Sequence, residues 1–201
     1  MAYYPRFTAP SRSDLRWIRT TSGGYNQCIY GSDGAPSVLP NCTGYVHGRW
    51  MELANVTTDN LGLSFGNAEQ YWTLSDSSLI RSQTPALGAC MCWEQDDGYG
   101  HVAIVEEIAS DGSWVRTSES DWNINYFVSH YRYRNNGWKW WSGSTLIWQG
   151  FLIHPNISPD PPIPPEPPTP TERKKILLYY GFILNKKKEL LKDYLMGGKN
   201  K

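Results

Sequence analysis

Residues 101–119 constrain the fold more than any other stretch. They read His-Val-Ala-Ile-Val-Glu-Glu-Ile, then Ala-Ser-Asp-Gly-Ser, then Trp-Val-Arg-Thr-Ser-Glu. Two strand-type runs flank Asp111-Gly112, a dipeptide suited to the positive φ angles of a tight turn, so the segment predicts an antiparallel hairpin. Ala89–Trp93, Tyr131–Arg134 and Leu146–Ile153 read as further strands. The helical signals come earlier: a helix from Cys42 to about Asn55, a short one at Asn67–Trp72, and one turn around Asp14–Ile18 in an otherwise extended arm. Helices first and antiparallel strands second predict an α+β domain. No internal repeat is visible.

The hairpin carries chemistry. His101 opens its first strand and Glu119 closes its second, and hairpin pairing sets the start of one strand beside the end of the next. An imidazole and a carboxylate far apart in sequence are therefore expected to be neighbours. The remaining partner of such a pair is found at Pro40-Asn41-Cys42-Thr43-Gly44. Asn41 occupies a helix N-cap position, where its side chain can accept from a first-turn amide. Cys42 then sits on the first turn, where the helix dipole favours negative charge. Thiol, imidazole and orienting carboxylate make a nucleophile, a base and a residue that fixes the base's tautomer.

Composition limits the partners. Lys plus Arg and Asp plus Glu are equal at 19 each, so net charge names no partner and no nucleic acid is expected. The balance is uneven: residues 171–201 carry nine basic and three acidic residues, leaving an acidic body before a basic tail. The amino-terminal residues lack the basic and apolar regions of a secretory signal, and no apolar run is long enough to span a bilayer. Four cysteines without a signal do not argue for a disulfide framework. Cys90 and Cys92 alternate on one strand face and read as core rather than a metal pair; Cys28 reads as structural. His47 reads as surface or as a neighbour of the site, and His130 and His154 as incidental. Ten Trp and thirteen Tyr suit a core, with Trp93, Trp122, Trp138, Trp140 and Trp141 as candidates for a substrate groove.

Proline takes nine of the sixteen positions 155–170, which makes a semi-rigid polyproline spacer that cannot join a sheet. The organisation expected is an arm over residues 1–21, a catalytic domain over 22–154, a linker over 155–171 and a basic amphipathic helix over 172–201. Ile176, Tyr180, Leu184, Leu191 and Leu195 recur in that tail at helical spacing among lysines. It suits an anionic wall or membrane surface, or a protein interface.

Three sequence words together resemble one family. Asn-Cys-Thr-Gly-Tyr-Val-His-Gly-Arg, Gly-His-Val-Ala-Ile-Val-Glu and Thr-Ser-Glu-Ser-Asp-Trp are similar to the signatures of the CHAP family, the cysteine, histidine-dependent amidohydrolases/peptidases. Gly23–Ile29, Gly66–Glu69 and Pro85–Trp93 add to the likeness, which covers about residues 22–154 and is nearest to CHAP domains of endolysins from phages of Gram-positive bacteria. The resemblance implies a papain-like α+β fold, helices carrying the Cys packed on an antiparallel sheet. It implies hydrolysis of an amide bond in peptidoglycan. It assigns Cys42 as nucleophile, His101 as general base and then acid, and Glu119 as orienter, with Asp121 in reserve. The oxyanion would be held by the Cys42 amide and a second donor from Asn41 or Tyr25. Some relatives bear a calcium loop before the Cys; Gly31-Ser32-Asp33-Gly34-Ala35 has one carboxylate, so no metal and no cofactor are expected. The setting implied is a phage lysin, held in the host cytoplasm until a holin pore opens or carried in the virion, with a virion protein as a further candidate partner of the tail. Two rivals stand: a non-catalytic wall-binding or virion structural module on the same fold, and a cysteine peptidase or transamidase acting on protein.

Overall fold

The computed structural model describes residues 3–17, 29–30, 36–95, 98–122 and 124–157. The linker from residue 158 onward, the basic tail, Tyr25, Cys28 and the Gly31–Ala35 stretch lie outside the described residues. A two-stranded ribbon, β1 (Ile29–Tyr30) with β2 (Pro36–Ser37), leads into α1 (Cys42–Ala54). A 3₁₀ turn (Ala68–Gln70) runs into the short α2 (Tyr71–Leu74). Six strands follow: β3 (Ile80–Ser82), β4 (Cys90–Glu94), β5 (Gly100–Ile108), β6 (Trp114–Glu119), β7 (Val128–Tyr133) and β8 (Ile147–Ile153). They form one antiparallel sheet in the order β3-β8-β4-β5-β6-β7. This is the α+β arrangement expected, with the β5–β6 hairpin at its centre. β3 was not among the expected strands: three residues with no periodic pattern gain their strand state only by pairing with β8. Among the described residues no helix is long and apolar enough to cross a membrane.

The sheet is apolar on both faces, because β4 and β5 are covered on each side. Cys90, Cys92, Val102 and Ile104 pack with Tyr45, Val46, Trp50 and Met51 of α1. Met91, Trp93, Ala103 and Val105 alternate with them and pack with Val115, Trp138 and Phe151. Both β4 cysteines are thus core, as expected, and burial pushes the Cys90 thiol up. The arm is not free. Trp17 is fully buried in the α1-side core, and a Cβ on Gly48 would stand 2.3 Å from its indole. Only glycine on that turn of α1 leaves room for the ring.

A buried ionic cluster ties helix, strand and arm together. The pairing of β5 on β6 slips at Glu106, with Val105 opposite Thr117 and Glu107 opposite Arg116. The Glu106 carboxylate is 2% exposed and accepts five hydrogen bonds. Arg49 of α1 donates Nε and Nη2, each at 2.9 Å. Ser118 Oγ donates at 2.6 Å, Tyr3 Oη at 2.7 Å and the Arg6 amide at 2.9 Å. Arg6 and Arg49 also share Glu52. Removing one partner of such a pair strands the other charge in the core. Arg49→Met is therefore expected to lower unfolding free energy by about 3–5 kcal/mol, read as a lower urea midpoint with an unchanged slope.

Candidate active site

α1 begins at Cys42 because Asn41 caps it. The Asn41 backbone is extended at φ −158° and ψ 123°, and its Oδ1 accepts from the Thr43 amide at 3.2 Å and the Thr43 hydroxyl at 2.8 Å. The Asn41 amide in turn donates to Ser120 Oγ at 2.8 Å, which pins the helix start to the end of β6. Cys42 is 8% exposed and opens on a cleft of about 920 Å³. Asn41 is buried behind it with its carboxamide oxygen engaged in the cap.

His101 enters from β5, paired with Trp93 of β4. Gly100 just before it packs on the 3₁₀ turn, where a Cβ would stand 2.3 Å from the Glu69 amide nitrogen. The imidazole is 3% exposed. Its Nε2 donates to Glu119 Oε2 at 2.5 Å, and the ring is also hydrogen-bonded to the Cys42 side chain. Trp140 stacks on the ring at 4.4 Å and 18°, and Trp93 closes a second side at 5.9 Å. Burial opposes the imidazolium, but the charge of Cys42 and its hydrogen bond, followed by those of Glu119, outweigh it and raise the His101 pKa to about 10.

Glu119 is fully buried. Burial would favour its neutral form, yet Arg132, His101 and Thr117 together hold it well below the usual carboxylate range. Arg132 Nη2 lies 2.7 and 2.8 Å from its two oxygens, and Thr117 Oγ1 donates to Oε1 at 2.7 Å. Asp121 is close, since one donor atom each of His101, Glu119 and Asp121 lies within 4.8 Å of the others. Its Oδ2 accepts from Asn125 Nδ2 at 2.7 Å, while His101 is bonded to Glu119.

The structure thus brings Cys42, His101 and Asp121 to one cleft, with Glu119 bonded to His101 and buried. Arg132 joins them without having been anticipated. Its strand reads Tyr-Arg-Tyr-Arg, and alternation alone does not tell a buried arginine from an exposed one. The five candidate tryptophans divide. Trp122, Trp140 and Trp141 line the cleft with Tyr99 and Ile124, whereas Trp93 and Trp138 belong to the core, at 0% and 3% exposure. His47 is neither surface nor part of the site. It is 1% exposed, with Nδ1 paired to Asp59 at 2.6 Å and Nε2 bonded to the Ser64 carbonyl at 3.0 Å. His154 has partners too, the Trp50 ring at 5.5 Å and the Asn156 amide at 3.2 Å. His130 is exposed and lines the cleft.

Three comparisons relate part of the chain to known proteins. The family model described as "CHAP domain" matches residues 30–121, a span that contains all four of these residues drawn from the sequence. The chain is 46% identical over 55 residues to a protein of Streptococcus mutans named as a hydrolase, covering 27% of this chain and 23% of that protein. It is 35% identical over 106 residues to a Staphylococcus aureus protein named as containing an N-acetylmuramoyl-L-alanine amidase domain, covering 49% of this chain and 16% of that protein. The chain therefore spans less than a quarter of either relative's length. No solved structure matches it.

The raised His101 pKa makes a stability prediction. A group whose folded pKa exceeds its unfolded value of 6.5 contributes stability that is complete below 6.5 and is lost as pH rises through about 10. The difference in melting temperature between the parent and His101→Gln should therefore be largest below 6.5 and shrink toward alkaline pH. Differential scanning calorimetry of the two proteins across that window measures it.

Proposed function

We propose that this CHAP-domain chain is a peptidoglycan hydrolase that cleaves an amide bond of the bacterial cell wall by thiol catalysis, with Cys42 as nucleophile, His101 as general base and acid, and Glu119 as orienter. The observation that carries this reading is the buried His101–Glu119 hydrogen bond of 2.5 Å beside a thiol on the first turn of a capped helix. Such a set, desolvated except at its cleft, is the arrangement that thiol acyl transfer needs.

The proposed reaction runs in two halves. Cys42 Sγ attacks the carbonyl carbon, and its proton resides on His101. Charge on the carbonyl oxygen is met by the Cys42 amide at the helix start, with Asn41 or Tyr25 as candidate second donor. His101 then delivers the proton to the departing amine, and the C–N bond breaks to leave a thioester. A water molecule, deprotonated by His101, attacks the thioester and releases the acid and the thiol. Glu119 keeps one imidazole tautomer throughout, so Nδ1 is the nitrogen that exchanges the proton. Asp121 is the reserve for Glu119. Trp122, Trp140 and Trp141 offer flat apolar faces on which a sugar or an extended stem peptide can rest.

The wider setting belongs to the same proposal. A phage lysin acting on a Gram-positive wall, as a free endolysin or a virion component, agrees with the sequence resemblance, and a basic tail suits an anionic wall, a membrane surface or a virion protein. The S. aureus relative is named for an amidase, so the muramoyl–alanine bond is the first to examine and a cross-bridge peptide the second.

Incubation of purified peptidoglycan with the parent and with Cys42→Ser, followed by mass spectrometry of the soluble fraction, tests the reading. The parent should release fragments with new termini that name the bond, and Cys42→Ser should release at least about 10³-fold less, as expected for loss of a nucleophile. No fragments from several wall types, with both proteins sedimenting with the wall, would replace the enzyme by a wall-binding module.

A further inference from the structure

We propose that Arg132 is a positioning residue of this site, whose cation tempers the hold of Glu119 on the His101 proton so that the imidazole can both take and give it. The inference rests on the hydrolase reading for its consequence, but its observations and its test are independent of it.

Arg132 is itself 4% exposed, so its charge is not dispersed into water. A single nitrogen, Nη2, reaches both Glu119 oxygens at 2.7 and 2.8 Å, one of which is the oxygen that binds His101. The guanidinium is held in place by Trp93, with Cζ 5.6 Å from the ring centroid. Trp93 is anchored in turn by its Nε1 donating to the Trp138 carbonyl at 2.7 Å. Arg132 comes from β7, where it pairs with Val115 of β6, and so reaches Glu119 diagonally across the sheet.

The electrostatics give the sign. A fully buried carboxylate with an imidazole as its one countercharge would hold the proton on that imidazole strongly, which suits neither half of a cycle that moves the proton twice. With Arg132 in place, part of the Glu119 charge that His101 meets is offset. Among the described residues, the other titratable groups lining the cleft beside the pair are Cys42 from α1, Asp121 from the turn after β6, His130 and Tyr131 from β7 and Tyr99 from the loop before β5. No lysine or second arginine stands among the described residues lining the cleft, so the tempering charge is that of Arg132. Deleting it raises the proton affinity of every group nearby.

The test follows His101 by NMR of the full chain labelled with ¹⁵N-histidine, its signals identified by their loss in His101→Gln. It needs no wall substrate. In Arg132→Met the His101 titration midpoint should move up by about one unit or more, the size of a removed neighbouring charge. Arg132→Lys, which keeps the charge, should restore the parent midpoint. Should Arg132→Met fail to fold, Arg132→Gln makes the same comparison. A midpoint that stays or falls in a folded neutral variant would overturn the proposal. So would unfolding of both neutral variants alongside a folded Arg132→Lys, which would leave Arg132 as scaffold. An unmoved midpoint leaves the hydrolase reading standing, and a missing hydrolysis leaves the midpoint measurable.

Discussion

Arg49 and Glu106 hold the site in register without touching it. Arg49 lies on the helix that begins at Cys42, and Glu106 on the strand that carries His101. Two hydrogen bonds of 2.9 Å between them fix α1 on β5, and with it the thiol beside the imidazole. Ser118 joins the same carboxylate from β6, next to Glu119. Each of the three elements that supply Cys42, His101 and Glu119 is therefore bound to one buried charge. Such a cluster does not have to stabilise the fold more than apolar packing would. Its value is directional, since fork-like guanidinium bonds accept one geometry where apolar contacts accept many.

Burial and charge work against each other at the site, and charge prevails for both ionised groups. Glu119 is stripped of water yet kept an anion by Arg132, His101 and Thr117. His101 is stripped of water yet kept a cation by Cys42 and Glu119. Each group is held in its charged state by its neighbours, so removing one disturbs the rest. Trp140 and Trp93 flank the imidazole and limit solvent on its faces, which leaves the cleft side open for a substrate.

The local features of the chain were legible in its sequence. Asn41 as a cap, Cys42 on the first turn, Asp111-Gly112 at the hairpin and the approach of His101 to Glu119 each follow from rules that act over a few residues or across one turn. What escaped depends on contacts distant in sequence. Glu106 reads as an ordinary strand residue until Arg49, Tyr3 and Arg6 arrive from elsewhere. Arg132 alternates with tyrosines and gives no sign of facing inward. Trp17 lies in a punctuated arm, yet it completes the α1-side core. The tryptophans could be counted but not oriented: Trp138, at φ 59°, turns into the core while Trp140 and Trp141 turn to the cleft.

In the proposed reaction Cys42 carries the acyl group between two half-reactions. Rapid acid quench of the protein mixed with a soluble peptidoglycan fragment, followed by peptide mass mapping, tests it most directly. The account predicts an adduct whose mass equals the acyl part of the fragment, confined to the Cys42 peptide, sensitive to hydroxylamine and absent from Cys42→Ser. Product formation by the parent with no such adduct under conditions that slow deacylation, or an adduct that persists in Cys42→Ser, would contradict it.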